Sequence, residues 1–126
     1  MTFKSFEEIE AWQKGVALAE TIYKVTTKPP FDKDWSLRDQ MRRAVVSISS
    51  NLAEGYERDS DAEFNRFVLI AKGSCGELRT QSILAGRIGY LSSEEATQLI
   101  KECGELSSML SGLSKYLIRS IHSSRR

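Results

Sequence analysis

The sequence predicts an all-α protein, an antiparallel up-down-up-down bundle of four helices. Apolar residues recur at three- and four-residue spacing along four long segments, which is the period of an amphipathic helix. Short connections containing Pro, Gly or Ser separate these segments. No segment alternates between apolar and polar residues for long enough to form a strand. Because helices joined by short connections lie as antiparallel neighbours, a bundle is the expected architecture.

The chain of 126 residues has the size of one domain and is long enough to bury a core without disulfides or metals. We therefore predict a single four-helix-bundle domain over residues 1–126. Its helices are predicted at about residues 6–27, 36–55, 61–88 and 93–121, followed by a basic tail at 122–126.

The first helix is predicted to begin at a capping box formed by Ser5 and Glu8. Pro29 and Pro30 are expected to end it. Its predicted core stripe consists of Ile9, Trp12, Val16, Ala19 and Tyr23.

The second helix begins at either Asp34 or Ser36, since both residue types cap helices. Gly55 is placed as its C-terminal stop. The predicted core stripe consists of Leu37, Met41, Ala44, Val45, Ile48 and Leu52.

The third and fourth helices each begin with a predicted capping box, Ser60 with Glu63 and Ser92 with Glu95. Gly89 is expected to close the third helix. The core stripe of the third helix is predicted as Phe64, Phe67, Ala71, Ser74, Leu78, Ser82, Ala85 and Ile88. That of the fourth is predicted as Ala96, Leu99, Cys103, Leu106, Leu110, Leu113, Leu117 and Ile121.

Two helices carry more apolar surface than one bundle buries. The third helix has a second apolar stripe opposite its core stripe. Two glycines in this stripe each lower helix stability by roughly 1 kcal/mol relative to alanine, which suggests that another backbone approaches there. Val25 continues a similar second stripe on the first helix. The predicted oligomer interface therefore consists of Ala11, Gly15, Leu18, Ile22, Leu69, Gly73, Gly76, Thr80 and Ile83.

Charges on the third helix indicate how copies meet. Lys72 and Arg79 flank one side of its second stripe, and Glu63 and Glu77 flank the other. Edges of opposite sign suit a head-to-tail contact, which closes into a ring when the rotation allows. The alternative is an exposed apolar patch without a partner.

The residues do not compose a catalytic or metal site. His122 is the only histidine, and no Glu-x-x-His pair exists to build a di-iron centre. Cys75 lies within GSCGE at 73–77, which matches neither a nucleophile elbow nor a phosphate-binding loop, and no histidine is expected near its thiol. We therefore predict a protein that is not an enzyme and carries no cofactor. A pocket containing Glu54, Glu77 or Cys75 would favour the opposite interpretation.

With a formal net charge of +1, only a local patch can attract nucleic acid. Arg38 and Arg42 share one helix edge without an acidic partner at helical spacing, and no acidic residue follows Glu105. Such residues bind phosphates, although a solvated basic face near a helix end explains them too. The candidate nucleic-acid-binding residues are Arg38, Arg42, Lys101, Lys115, Arg119, Arg125 and Arg126.

The chain shows neither a signal peptide nor an apolar run of membrane-spanning length, which predicts a cytoplasmic protein that does not insert into membranes. Cys75 and Cys103 lie in apolar patterns and are expected to be buried, reduced thiols. On the second helix, Arg43 and Glu54 are predicted to join one polar network across a helix seam.

Five blocks carry a resemblance to a known family: WQKG at 12–15, QMRRAVVSISSNLAEG at 40–55, EFNRF at 63–67, IAKGSCGEL at 70–78 and GYL at 89–91. Their order is similar to that of the bacterial four-helix-bundle family of 23S ribosomal RNA intervening-sequence proteins. The accessory proteins of diversity-generating retroelements are similar to this family, and they form pentameric barrels that contact a reverse transcriptase and nucleic acid.

The resemblance implies a homopentamer whose partner is RNA, DNA or a reverse-transcriptase-like protein. It also implies a role in fold and assembly for the matching motif residues, which are Arg43, Ala44, Ser47, Ile48, Asn51, Glu54 and Gly55. Two functions remain open at this point: binding of nucleic acid or of a protein that handles it, and a purely structural or protein-interaction role without nucleic-acid affinity.

Overall fold

The computed structural model describes residues 3–124 and confirms the all-α, antiparallel four-helix bundle. Each helix packs against its neighbours in the chain, and α1 also contacts α4. The four helices are α1 (Glu10–Thr27), α2 (Trp35–Tyr56), α3 (Asp61–Arg87) and α4 (Ser93–Ser124), and short 3₁₀ turns lie at Phe6–Glu8 and Phe31–Lys33.

The predicted capping box at Ser5 and Glu8 is wrong. The Ser5 side chain accepts no capping bond, and the Glu8 carboxylate accepts the backbone N–H of Lys4 at 2.7 Å instead. Residues 6–8 form a 3₁₀ turn, and the buried Ile9 follows in an extended conformation. Because this conformation interrupts the helical path, α1 begins at Glu10, four residues later than predicted.

Asp34 is the residue that caps α2. One of its carboxylate oxygens accepts the backbone N–H of Leu37 at 3.1 Å, and the other accepts the Tyr90 hydroxyl at 3.0 Å. The second bond raises the pKa of Tyr90. A single side chain therefore closes the start of α2 and fastens it to the connection between α3 and α4.

Gly55 does not stop α2, which continues to Tyr56. Among the described glycines only Gly89 has a positive φ, so Gly55 plays a packing role instead. A Cβ atom at Gly55 would lie 2.6 Å from the Cβ of Phe67 and 3.3 Å from the carbonyl oxygen of Phe64. The glycine allows the start of α3 to pack tightly against the end of α2.

The other helix ends follow the sequence signals. Ser60 accepts the backbone N–H of Glu63 at 3.1 Å, but the Glu63 carboxylate pairs with Arg66 at 3.0 Å, so only half of the predicted capping box forms. Gly89 has a φ of 85°, and backbone bonds from Gly89 to Gly86 and from Tyr90 to Ala85 close α3 in a Schellman motif. At the other end of the bundle, α4 extends to Ser124, so the segment from 122 to 124 is helical.

Ser92 and Glu95 form a complete capping box, with reciprocal bonds of 2.9 and 3.0 Å. The pKa of Glu95 is lowered, chiefly because its carboxylate accepts the backbone N–H of Ser92, and Lys28 adds a smaller effect. A lowered pKa in the folded state means that the stabilisation is present above the unfolded value and is lost as the pH falls through the folded value.

We expect Glu95→Gln to lower the melting temperature at neutral pH, because the neutral amide caps more weakly than the carboxylate. The difference from the wild type should shrink on acidification below the ordinary glutamate pKa of 4.5. Thermal unfolding of both proteins across this pH range measures the effect. A difference that stays constant with pH would contradict it, since other carboxylates titrate in both proteins.

The hydrophobic core runs along the inner faces of all four helices. The α2 stripe is buried as predicted, and so is the α4 stripe as far as Leu117, with Ile121 partly buried. On α3, Ser74 is only partly buried and Ile88 is exposed, while Val68 and Cys75 fill the core beside the predicted residues.

The assignment of the two α1 stripes is wrong except at Ile9, which is buried in the core as predicted. The core is formed by the stripe that had been placed at an oligomer interface: Ala11, Gly15, Leu18, Ile22 and Val25. The cause lies across the seam, where the Ser49 hydroxyl donates to the Trp12 carbonyl at 3.0 Å and would collide with a Cβ atom at Gly15. This close approach turns Gly15 and its stripe inward. Trp12, Val16 and Ala19 are therefore partly buried, and Tyr23 is exposed.

Candidate interaction surfaces

A shallow apolar groove runs between α1 and α2 on the outside of the bundle. Its cavity measures about 260 Å³. The groove is open because Gly15 and the small side chains that line it occupy little space. At its floor α1 and α2 are in close contact. We call it the α1/α2 groove, and its lining residues are Trp12, Gly15, Val16, Ala19, Val45, Val46, Ser49, Ser50 and Ala53.

Beyond the groove, towards the N-terminal end of α2, exposed aromatic side chains alternate with the polar Asp39, Arg42 and Arg43. Tyr23 is exposed beside the groove, and the Arg42 guanidinium lies 4.6 Å from the centre of its ring. Trp35 is 69% exposed. It precedes Val46 by eleven residues, about three helical turns, and so projects from the same side of α2.

A second apolar surface lies on α3, where the sequence predicts an outer stripe. Leu69, Gly73, Gly76 and Thr80 are exposed, and Ile83 is partly buried towards α4. A Cβ atom at either glycine would meet nothing within 4 Å. The exposed Ile70, Leu84 and Ile88 extend this surface along the helix, and together these eight residues form what we call the α3 outer face.

The predicted interface residues thus separate into two groups. Those on α3 lie at the surface, with Ile83 at its margin. Those on α1, which are Ala11, Gly15, Leu18 and Ile22, are buried within the single chain and are not available to a partner except through the floor of the groove at Gly15. The groove walls were missed because Trp12, Val16 and Ala19 had been assigned to the core.

The matching motif residues of α2 serve its inner faces and its seam with α3. Ala44, Ile48 and Gly55 are buried, and the Ser47 hydroxyl shares a bond of 2.9 Å with that of Ser74. The Asn51 amide donates to the Ser47 carbonyl at 2.7 Å. The Ser47–Ser74 bond crosses the α2–α3 seam, and the Asn51 bond within α2 supports it, which is a structural role.

The predicted network joining Arg43 and Glu54 is not present. Glu54 pairs with Arg58 at 3.0 Å, one helical turn away. Arg43 is exposed and forms no ion pair with another described residue. Since eleven residues along a helix span roughly 16 Å, Arg43 and Glu54 lie too far apart on one helix to share a bond.

Arg38 and Arg42 are held within the bundle and do not form a free cationic edge. Arg38 pairs with Asp39 at 3.0 Å and donates to the Asp32 carbonyl at 3.0 Å. Arg42 donates to the hydroxyl of Thr26 at 2.9 Å, in addition to its contact with the Tyr23 ring. The interpretation of both arginines as unpartnered was wrong, because their partners come from elsewhere in the fold.

The outer side of α4 presents the remaining basic residues that the structure describes. Lys101, Lys115 and Arg119 are exposed, and none forms an ion pair with another residue in the 3–124 range. Lys101 and Arg119 lie eighteen residues apart, roughly 27 Å along the helix. Glu105 lies between them and pairs with Lys14 of α1 at 3.1 Å. Arg125 and Arg126 fall outside the described residues.

The two cysteines face the core. Burial raises the pKa of Cys75 to about 12 and that of Cys103 to about 11. Both therefore remain protonated near neutral pH, where a nucleophilic cysteine requires the thiolate. Glu54 and Glu77 are exposed and Cys75 is buried, and none of them lines the α1/α2 groove or the cavity at the α2–α3 connection.

Other chemistry-bearing clusters are equally sparse. A cavity of about 340 Å³ at the α2–α3 connection is lined by aromatic, apolar and acidic residues together with Arg58 and Ser60, but by no cysteine or histidine. Within residues 3–124, no three His, Cys, Asp or Glu side chains are grouped closely enough to hold a metal ion. The same range contains no helix with the length and apolarity needed to cross a bilayer.

The fold and these surfaces define a four-helix-bundle protein whose candidate interaction surfaces lie on the outside of the bundle. A family model described as 23S rRNA-intervening sequence protein matches residues 7–112, most of the chain. The protein belongs to this family, which confirms the resemblance carried by the sequence blocks. A comparison with curated proteins found no match.

A solved structure shares the architecture. It is the crystal structure of a protein of unknown function from the S23 ribosomal protein family of Bacteroides thetaiotaomicron. The two chains superpose with a TM-score of 0.76 at 23% sequence identity, over 83% of this chain and 98% of the other. At this identity the likeness establishes the fold.

Proposed function

We propose that the protein is a non-enzymatic, self-associating bundle that binds RNA or DNA, or a protein that handles them, through the outer side of α4. The observation that carries this proposal is the row of exposed, unpaired basic residues on that helix, Lys101, Lys115 and Arg119. Membership of a family described by an intervening sequence of 23S rRNA is consistent with a nucleic-acid partner.

Self-association would increase the number of phosphate contacts that this short row of basic residues provides. Lysine and arginine bind phosphates by releasing condensed counterions, and affinity grows with the number of contacts. One subunit with a net charge of +1 offers few contacts, whereas a ring repeats the row in every copy. The resemblance to pentameric barrel proteins favours five copies.

A second candidate is a structural or protein-interaction module without nucleic-acid affinity. The α1/α2 groove and the α3 outer face favour it, because exposed contiguous apolar surface marks contact with another protein. The engagement of Arg38 and Arg42 inside the fold also leaves fewer cations for phosphate.

Fluorescence anisotropy with a labelled structured RNA and a labelled DNA duplex, from low to physiological salt, separates the two functions. Nucleic-acid binding predicts an affinity that falls steeply with salt yet remains measurable at physiological salt. The triple variant Lys101→Glu, Lys115→Glu, Arg119→Glu should lose most of this affinity and show a shallower salt dependence.

A matched control changes the net charge equally at three other exposed lysines, Lys4→Glu, Lys24→Glu and Lys33→Glu. This control should retain more affinity than the α4 variant. Equal loss in both would mean that overall charge and not the α4 row governs binding. No binding of the wild type even at low salt would favour the protein-interaction module.

A further inference from the structure

The large apolar side chains left exposed by the fold are not scattered. Eight are exposed among the described residues, and all but Ile118 lie on two surfaces. Tyr23, Trp35 and Val46 lie beside or in line with the α1/α2 groove, and the others belong to the α3 outer face. Monomeric proteins rarely expose apolar residues so contiguously, and two separate faces suit a head-to-tail contact in which each copy uses both.

The two surfaces lie at the same height in the bundle. Gly15, in the floor of the groove, contacts Ser49 of α2. Ser47, two residues away, bonds to Ser74, which is adjacent to Gly73 on the α3 outer face. A head-to-tail contact closes into a ring only when successive copies are related by rotation without a shift along the axis. Surfaces at equal height meet this condition.

Their edges carry opposite charges in the matching order. On the groove, Arg43 lies on the α2 edge and Glu20 on the α1 edge, and both are exposed. On the α3 outer face, Glu77 lies on the side towards α2, and Lys72 lies on the side towards α4. None of these four side chains forms an ion pair with another described residue.

The heights of Arg43 and Glu77 agree as well. Arg43 and Glu77 lie four and three residues from the Ser47–Ser74 pair, and in the same direction because α2 and α3 are antiparallel. A second copy, rotated about an axis parallel to the helices, can insert its α3 into the groove of the first copy. The side of this α3 that faces its own α2 then lies over the α2 edge of the first copy's groove. This motion places its Glu77 beside Arg43.

We infer that the α1/α2 groove of one copy receives the α3 outer face of a second copy, with the helices of both copies running in the same directions. Val46, Ser50 and Ala19 then contact the backbone at Gly73 and Gly76, where the absence of side chains permits close approach. Arg43 pairs with Glu77 of the neighbouring copy. The inference rests on the self-association in the proposed function and specifies the surfaces, the direction and the charge pair that produce it.

Charge reversal with mixing tests this contact. Arg43→Glu alone and Glu77→Arg alone each place like charges together, and each should weaken association at least about tenfold. An equimolar mixture of the two variants restores opposite charges at every contact between unlike copies. Light scattering after gel filtration should therefore show small species for each variant and a larger mass for the mixture.

The mixture also excludes the simplest alternative. If Arg43 interacted only with Glu77 of its own chain, mixing would not change the mass of either variant. Small species that do not grow on mixing, or single variants that assemble like the wild type, would overturn the inference. Circular dichroism confirms that each variant is folded.

Apolar variants provide a second measurement. Val46 and Ile118 are similarly exposed, at 43% and 41%, but only Val46 lines the groove. Val46→Glu should yield monomers, and Ile118→Glu should leave the mass unchanged; the reverse pattern would overturn the inference. Anisotropy on the same samples keeps the two proposals distinct. Restored mass in the mixture without nucleic-acid binding rejects the nucleic-acid part of the proposed function alone, and nucleic-acid binding by a wild-type protein that is itself monomeric rejects the contact.

Discussion

Gly55→Ala is expected to destabilise the fold by about 1–3 kcal/mol, although alanine is the better helix former. The added Cβ would lie 2.6 Å from the Cβ of Phe67, an atom fixed to the α3 backbone, so the two helices must separate. Urea unfolding monitored by circular dichroism measures the loss.

The matched control is Gly112→Ala on α4, where a Cβ atom meets nothing within 4 Å. This substitution should stabilise the subunit by up to about 1 kcal/mol, because alanine replaces glycine in a helix without a clash. Opposite signs for the same chemical change would establish that Gly55 is required for packing. Stabilisation by both substitutions would contradict the close α2–α3 contact.

The double variant Gly73→Leu, Gly76→Leu is expected to abolish assembly while leaving the helical content nearly intact. Both side chains project into open space on the single chain, so they obstruct a partner and not the core. We expect association to weaken at least about thirtyfold, the effect of a central interface residue worth about 2 kcal/mol. Sedimentation velocity measures the mass, and circular dichroism measures the fold.

The control for this variant is Gly104→Leu, Gly112→Leu, which places two leucines at open helical positions on α4. It should assemble like the wild type. Full assembly of both double variants would remove the α3 outer face from the interface, and monomers from both would indicate a general effect of added leucine.

The sequence alone predicts the fold class and most helix ends, because periodicity and capping are local properties. Ser60, Ser92 and Gly89 act within a turn of their own positions, and each forms the capping bond expected of it, although the return bond of the box is present only at Ser92. Ser5 carries the same signature without the same outcome, since the buried Ile9 interrupts the helix after it. A local signal fails where tertiary burial determines the backbone.

Periodicity alone does not determine which of the two α1 stripes enters the core. Both stripes repeat at helical spacing, and the choice between them depends on Ser49, which lies on another helix and packs against Gly15. The observation that α1 carries two apolar stripes was nevertheless informative. One stripe fills the core and the other contributes to the groove, so the surplus apolar surface is present on the stripe that was predicted to be buried.

The candidate interaction surfaces were also predictable only in part. The part of the α3 outer face around Gly73 and Gly76 follows from the sequence because glycines are unusual within a helix. Its extension through Ile70, Leu84 and Ile88 does not, and Ile88 is predicted in the core. Arg38 and Arg42 appear unpartnered in the sequence because their partners are a neighbouring residue, a backbone carbonyl and the side chains of α1. Helical spacing on one helix does not reveal contacts of these kinds.

The order of the helices has a consequence for how the chain reaches its folded state. Because each helix packs chiefly against the one before it in sequence, most native contacts join residues that are near in the chain. Topologies of this kind fold within microseconds to milliseconds. A newly made chain would thus complete its own core quickly, and the apolar surface that persists after this step is the surface that the contact proposed above would use.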